Sequence, residues 1–241
     1  MKKDLLTLMV AAMAAFPLHA QETDIVDNGV RFGIKVAPNM SWLRSDTKGL
    51  ESDGSKIGFT FGLVTEFPIG AAGNYRFATG LFLNNVGGKI TTPFIYTENG
   101  NELTKGLVSD LKLRYIELPL TMKLMTKEIG YMRYYGQIGF GAAFNVRAKA
   151  DFDQPKYDSN NGALLGFESL VDEDVKDFTQ PFRASLIIGA GLEYNFSGST
   201  TLQVGVNYNN GLTNISKDRK VGDKNAKVLQ DYVELNLAVF F

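Results

Sequence analysis

The chain has 241 residues with 25 basic and 26 acidic side chains, a formal net charge of -1, so it carries no cationic surplus for nucleic acid. Cysteine is absent and the one histidine is His19, which excludes disulfides and, outside the leader, thiol or histidine-based nucleophile systems and His-bearing zinc sites. No run of about 18 apolar residues occurs, so no transmembrane helix is predicted.

Lys2 and Lys3 precede an apolar run over 5–16, and Leu18-His19-Ala20 ends in a small residue. That order predicts a signal peptide over 1–20 and export of the rest. Residues 21–29 are polar and read as a flexible lead-in, and 30–241 read as one domain.

The first strand is predicted over 30–42. Val30, Phe32, Ile34 and Val36 fall on one face, Arg31, Gly33, Lys35 and Ala37 on the other. The second, 56–67, sets Ile57, Phe59, Phe61 and Leu63 against Lys56, Gly58, Thr60, Gly62 and Glu66. A turn over 68–74 leads to the third, 75–86, where Tyr75, Phe77, Leu81 and Leu83 oppose Arg76, Ala78, Gly80 and Asn84. Residues 87–110 read as a polar loop.

The fourth strand, 111–125, puts Ile116, Leu118, Leu120, Met122 and Leu124 opposite Glu117, Thr121 and Lys123. Pro119 lacks a ladder donor and predicts a local bulge. The fifth, 131–150, shows Met132, Tyr134, Ile138, Phe140, Phe144 and Val146 on one side and Arg133, Gln137, Asn145 and Arg147 on the other. Residues 151–180 read as a long acidic loop. The sixth strand, 181–196, alternates Phe182, Leu186, Ile188, Leu192 and Phe196 with Arg183, Ser185, Gly189, Gly191, Glu193 and Asn195. After a tight turn, 200–210 forms the seventh, with Leu202, Val204, Val206 and Tyr208 on its apolar side. A Lys-rich loop over 216–226 precedes the closing strand, 227–241, in which Val233, Leu235, Leu237, Val239 and Phe241 share the apolar face and Glu234 the other.

Eight strands joined by alternating long and short connections predict an all-β, eight-stranded antiparallel up-and-down transmembrane β-barrel of the outer membrane, with short periplasmic turns, longer extracellular loops and periplasmic termini. In hydrocarbon every backbone N–H and C=O needs a partner, so the sheet must close on itself. Two aromatic belts fit this orientation. Phe67, Tyr75, Phe77, Tyr131, Tyr134, Tyr135, Tyr194, Phe196, Phe240 and Phe241 lie near the short turns; Trp42, Tyr115, Phe182, Tyr208 and Tyr232 lie near the loops. A soluble barrel would turn the oily face inward. The full charges and glycines in mid-strand on the other face fit a narrow polar lumen better.

The lumen set is therefore Arg31, Lys35, Lys56, Glu66, Arg76, Glu117, Lys123, Arg133, Arg147, Arg183, Glu193 and Glu234. Charges in so narrow a space need partners, so each glutamate is expected to hydrogen-bond a nearby Arg or Lys. A structural salt-bridge plug is favoured over a narrow porin-like channel for small solutes; the basic excess would make any leak anion-preferring. No catalytic, cofactor or metal motif is present, and a non-catalytic protein is expected.

The segment Tyr115-Ile116-Glu117-Leu118-Pro119-Leu120, the run Gly211-Leu212-Thr213-Asn214-Ile215 and the terminal Phe241 together resemble the PorT-like outer-membrane β-barrel family. The resemblance covers essentially the whole mature chain. It implies a small barrel whose C-terminal strand, ending in Phe241, is read by the barrel insertion machinery. The family's namesake is associated with protein secretion across the outer membrane.

The loops offer partners. Asp172-Glu173-Asp174 and Asp177 could meet a divalent cation, although a solvated acidic loop is the plainer reading. Lys217, Arg219, Lys220 and Lys224 could pair with lipopolysaccharide phosphates. The apolar patch over 162–167 is a candidate contact for an envelope protein partner.

Overall fold

The computed structural model describes residues 29–45, 47, 49–70, 73–98, 101–160, 162–197, 200–217, 220–221 and 224–241. The expected signal peptide and the lead-in over 21–28 lie outside the described residues. The strands are β1 (Arg31–Ser45), β2 (Glu51–Ile69), β3 (Tyr75–Glu98), β4 (Asn101–Met125), β5 (Met132–Tyr157), β6 (Leu164–Asp174), β7 (Phe182–Ser197), β8 (Thr200–Gly211), β9 (Lys220–Val221), β10 (Lys224–Asn225) and β11 (Val228–Phe240).

Eight of them form a ring in the order β4-β3-β2-β1-β11-β8-β7-β5, closed by the pairing of β4 with β5. Every neighbouring pair is antiparallel. First and last strands meet at the seam, where Ile34 faces Val239 and Val36 faces Leu237. β6 extends the wall beyond the ring by pairing with the far end of β5.

The alternation read from the sequence decides which side each residue takes. Phe32, Ile34, Leu63, Leu81, Leu118, Leu120, Ile138, Phe140, Ile188 and Leu235 are exposed on the outer wall, while Arg31, Glu66, Arg76, Asn84, Lys123, Arg183 and Glu193 are buried within. The burial pattern is the inverse of a water-soluble protein. On β4 the lipid row runs from Ile116 to Leu124, about 27 Å along the strand, which at the usual barrel tilt covers most of an apolar band about 25 Å tall.

Several expectations are corrected. Residues 87–110 are not a loop: β3 and β4 continue as a two-stranded hairpin to Glu98 and Asn101. The 151–180 segment contains β6 and a short 3₁₀ turn, Lys176–Phe178. Pro119 makes no bulge; it stands opposite Gly141 in unbroken register, and the irregularity falls between Arg114 and Tyr115. There β5 uses one extra residue, since Tyr115 pairs with Asn145 and Arg114 with Arg147. Beyond Val146 the facing of β5 is therefore inverted. Of the aromatic belts, Phe67–Phe77 and Tyr131–Tyr194–Phe196 cluster at the short-turn end, and Trp42 stacks on Tyr208 near the other. Tyr115, Tyr135, Tyr232 and Phe240 leave the belts and are buried inside.

Candidate functional site: the filled lumen

Three layers fill the cylinder. Nearest the short turns, Lys123 on β4 reaches across the lumen to Glu66 on β2 (2.7 Å), to Gln203 on β8 (2.5 Å) and to Glu193 on β7. Arg31 on β1 binds the same two glutamates, Glu66 at 2.5 Å and Glu193 through both oxygens at 3.0 Å. Two cations and two carboxylates thus close a compact quartet, all buried. Phe240 lies against it: the Arg31 guanidinium stands 4.7 Å from its ring centre, and Lys123 Nζ 5.5 Å. Tyr135 takes the other side of Lys123 at 4.3 Å. At the same end Arg76 Nη1 donates to the Gly29 carbonyl.

In the middle layer Lys35 pairs with Glu234, and Asn207 donates to Glu234 at 2.7 Å. Asn39, Thr60 and Asn84 form a hydrogen-bonded triad, which continues from Asn84 Nδ2 to Glu117 at 3.0 Å. Glu117 also accepts from the Tyr232 hydroxyl at 3.0 Å and from Asn209 Nδ2 at 3.1 Å. Arg183 donates to Asn209 Oδ1 at 2.6 Å and to the Gln230 carbonyl at 2.9 Å, and stands 3.9 Å from Glu117.

The outer mouth carries a layer of different character. Leu43, Leu50, Val86, Ile90, Leu113, Tyr115, Ala148, Ile215, Ala226 and Val228 pack as one apolar cluster, against which Val175 rests. It caps the polar column with a dry plug assembled from strands and loop segments. A cavity of about 50 Å³ lies in the polar column, bordered by Lys35, Glu66, Glu117, Asn207 and Glu234. That is room for a few waters, not for a solute.

Nine of the twelve charges read as lumenal are buried in this column: Arg31, Lys35, Glu66, Arg76, Glu117, Lys123, Arg183, Glu193 and Glu234. Three are corrected. Arg133 stands opposite Glu193 in the ladder, but its guanidinium turns to Glu128 in the short turn at 3.1 Å, and Glu193 is served by Arg31 and Lys123 instead. Arg147 lies past the extra residue in β5 and points outward, 3.8 Å from Asp172. Lys56 sits where β2 and β3 lose register, and it pairs with Asp110 at 2.5 Å at the rim of the wall. Polar residues outside the list complete the column, Gln203, Asn207, Asn209 and Tyr232 above all. Gln203, Asn207 and Asn209 share the buried face of β8, with Gln203 opposite Glu193 in the ladder, and Tyr232 shares that of Glu234 on β11.

Among the loop candidates, Asp172 is held by Lys149, and Asp174 accepts from the Lys176 amide. Phe167 of the apolar patch packs edge-on against Phe94 at 6.0 Å and Tyr96 at 5.5 Å, while Leu165 stays exposed. Arg219 and the side chains of Lys220 and Lys224 lie outside the described residues. Along β11, Leu235 is exposed on the outer wall, Val233, Leu237 and Val239 are half-buried on it, and Phe241 beyond the strand is exposed.

A family model described as outer membrane protein beta-barrel domain matches residues 19–237. Among solved structures, Neisserial surface protein A is similar at 16% identity and a TM-score of 0.45, over 88% of this chain and 97% of that one. OprG of Pseudomonas aeruginosa is similar at 12% identity and 0.41, over 90% and 99%. Ail, the attachment invasion locus protein of Yersinia pestis, stands at 17% and 0.34, over 88% and 98%. No curated protein matches the sequence.

Proposed function

Because the chain belongs to the outer membrane protein beta-barrel domain family and resides in the bacterial outer membrane, we propose that it is a non-catalytic, non-conducting barrel whose work is done on its outer surface. One observation carries this reading: the interior is filled from end to end, by the Arg31–Glu66–Lys123–Glu193 quartet, the Asn84–Glu117–Tyr232 network and the apolar cap. A pathway for solute would need a polar, open column; here two layers are bonded across the lumen and the third is packed with apolar side chains. The surface left for interaction is the extended pair of hairpins, β3–β4 and β5–β6, locked together by Phe94, Tyr96 and Phe167 and carrying exposed Ile95, Leu103 and Leu165. Such apolar groups on a rigid support suit contact with an envelope protein partner. The PorT-like reading would make that partner part of a secretion assembly. The outward row Val233, Leu235, Leu237, Val239 and Phe241 would serve as the signal read during insertion.

Planar-bilayer recording tests the reading. Purified protein is expected to give no stable unitary current in molar salt. Regular steps with anion preference would instead establish the narrow channel and overturn the proposal.

A further inference from the structure

On the outer wall, β4 and β5 set like charges opposite each other twice in succession. Arg114 faces Arg147, and the next outward pair is Lys112 with Lys149. Directly opposed side chains of an antiparallel pair lie about 5 Å apart at Cβ, so each pair is repulsive unless an anion stands between. One step toward the membrane, the corresponding outward pair is Ile116 and Phe144, both exposed to lipid. The cations therefore begin about 7 Å along the strand from the hydrocarbon edge, at headgroup height.

Lys56 joins them from β2. Its stem crosses Gly87, where a Cβ would come within 2.9 Å of Lys56 Cδ, so glycine leaves the space that the lysine fills. Lys56, Lys112, Arg114, Arg147 and Lys149 line one cleft of about 190 Å³, together with Ile57, Asn85 and Asp172. Three carboxylates answer the five cations. Asp110 takes Lys56, Asp151 takes Lys112 at 2.6 Å, and Asp172 takes Lys149. Arg114 meets no carboxylate among the described residues; its Nε donates to Asn85 Oδ1 at 2.7 Å, and its side chain lines the cleft. Among the described residues Arg147 has one carboxylate within reach, Asp172 at 3.8 Å. Asp172 itself adopts φ +61, a strained conformation for a residue other than glycine, at the irregularity between Ala150 and Phe152, and this turns its carboxylate over the cleft.

We infer that this cleft binds the phosphate of a phosphorylated glycolipid of the outer leaflet, of the lipopolysaccharide class. Two guanidinium forks side by side match the geometry of a phosphate, and three lysines supply the surrounding field. The site opens downward onto Ile57, Ile116, Phe144 and Val146, all exposed, so acyl chains attached to the bound headgroup lie against the lipid row. That continuity favours a lipid over a free anion. Asp172 competes with the phosphate for Lys149 and Arg147. The site is independent of whether the lumen conducts.

The test uses the full-length protein in zwitterionic detergent micelles, with binding followed by native mass spectrometry and by titration. The probes are diphosphorylated lipid A, the same lipid with its phosphates removed, and inorganic phosphate. Lipid A should bind at least about tenfold tighter than its dephosphorylated form, and the Arg114→Gln/Arg147→Gln pair should remove about tenfold or more of that affinity. Asp172→Asn should tighten binding, and millimolar inorganic phosphate should not displace the lipid. The inference falls if both lipids bind alike, if the double arginine variant binds as the native protein does, or if Asp172→Asn weakens binding. Displacement by inorganic phosphate would overturn the lipid assignment in favour of a free-anion site. Should the arginine variant fail to fold, as read by heat-modifiable gel mobility, the headgroup comparison and Asp172→Asn still decide.

Discussion

Replacing Lys123 with Met probes the quartet at its most connected point. The side chain is fully buried, and its Nζ bonds Glu66, Glu193 and Gln203. Methionine fills nearly the same volume, so packing changes little and the charge is what is lost. The site then holds one cation, Arg31, against two carboxylates. Removing one partner of a buried ion pair costs about 3–5 kcal/mol. Arg31 already bonds both glutamates and stays in place, which puts the expected loss at the low end, about 3 kcal/mol. Neutralising Glu66 in the same chain restores the balance, so Lys123→Met/Glu66→Gln should be more stable than Lys123→Met alone, with a coupling of about 1–3 kcal/mol. Urea unfolding in lipid vesicles measures both, read by the fluorescence of the single tryptophan, Trp42, on the outer wall against Tyr208. A loss under about 1 kcal/mol for Lys123→Met, or strictly additive losses in the double variant, would refute the claim that the quartet is bound as one unit.

Two further outcomes are expected. The Asp151 carboxyl is held below its ordinary 3.8 by hydrogen bonding to Lys112, and the Asp172 carboxyl below 3.8 by Lys149. A carboxylate depressed in the folded state contributes stability above its unfolded value and loses it as pH falls through the folded one, so amide protection along β6 should be flat above pH 4 and should decline only on further acidification, as hydrogen exchange can follow. Gly205 has no room for a side chain: a Cβ there would sit 2.2 Å from the Tyr135 hydroxyl and 2.7 Å from the Ala190 carbonyl. Gly205→Ala should cost about 1–3 kcal/mol in the same urea assay, whereas Gly136→Ala, with open space around it, should cost little.

The ring was legible because a strand's period of two is unforgiving. Ile116 to Leu124 and Val233 to Phe241 state their facing without help from the rest of the chain. Parity also contained more than aromatic bias let through. Tyr115 shares the face of Glu117, and Tyr232 that of Glu234; counted by twos, both belong inside, where the Tyr232 hydroxyl meets Glu117. Interfacial preference is a statistical pull, and a buried carboxylate outweighed it. Arg147 could not be placed by counting, since the extra residue at Val146 inverts everything after it and no local glycine or proline announces it. Gly87 and Gly88 looked like a loop start. They are instead thin places in the wall, crossed by Lys56 on one side and packed under Leu43 on the other. The outward basic cleft had no signal in any one segment, because its basic residues come from β2, β4 and β5 and are brought together only by strand register.

The quartet has a bearing on how the protein is made. Its members belong to the first, second, fourth and seventh strands in chain order: Arg31 meets Glu66 within the first hairpin, but the set of four is complete only when β7 brings in Glu193. A sheet ending at β4 would hold two cations, Arg31 and Lys123, against the single carboxylate of Glu66, an excess of charge that lipid cannot relieve. Such a fragment has no resting place between water and oil. Charge balance in the quartet is therefore expected to arrive with the later strands, near the time the seam closes.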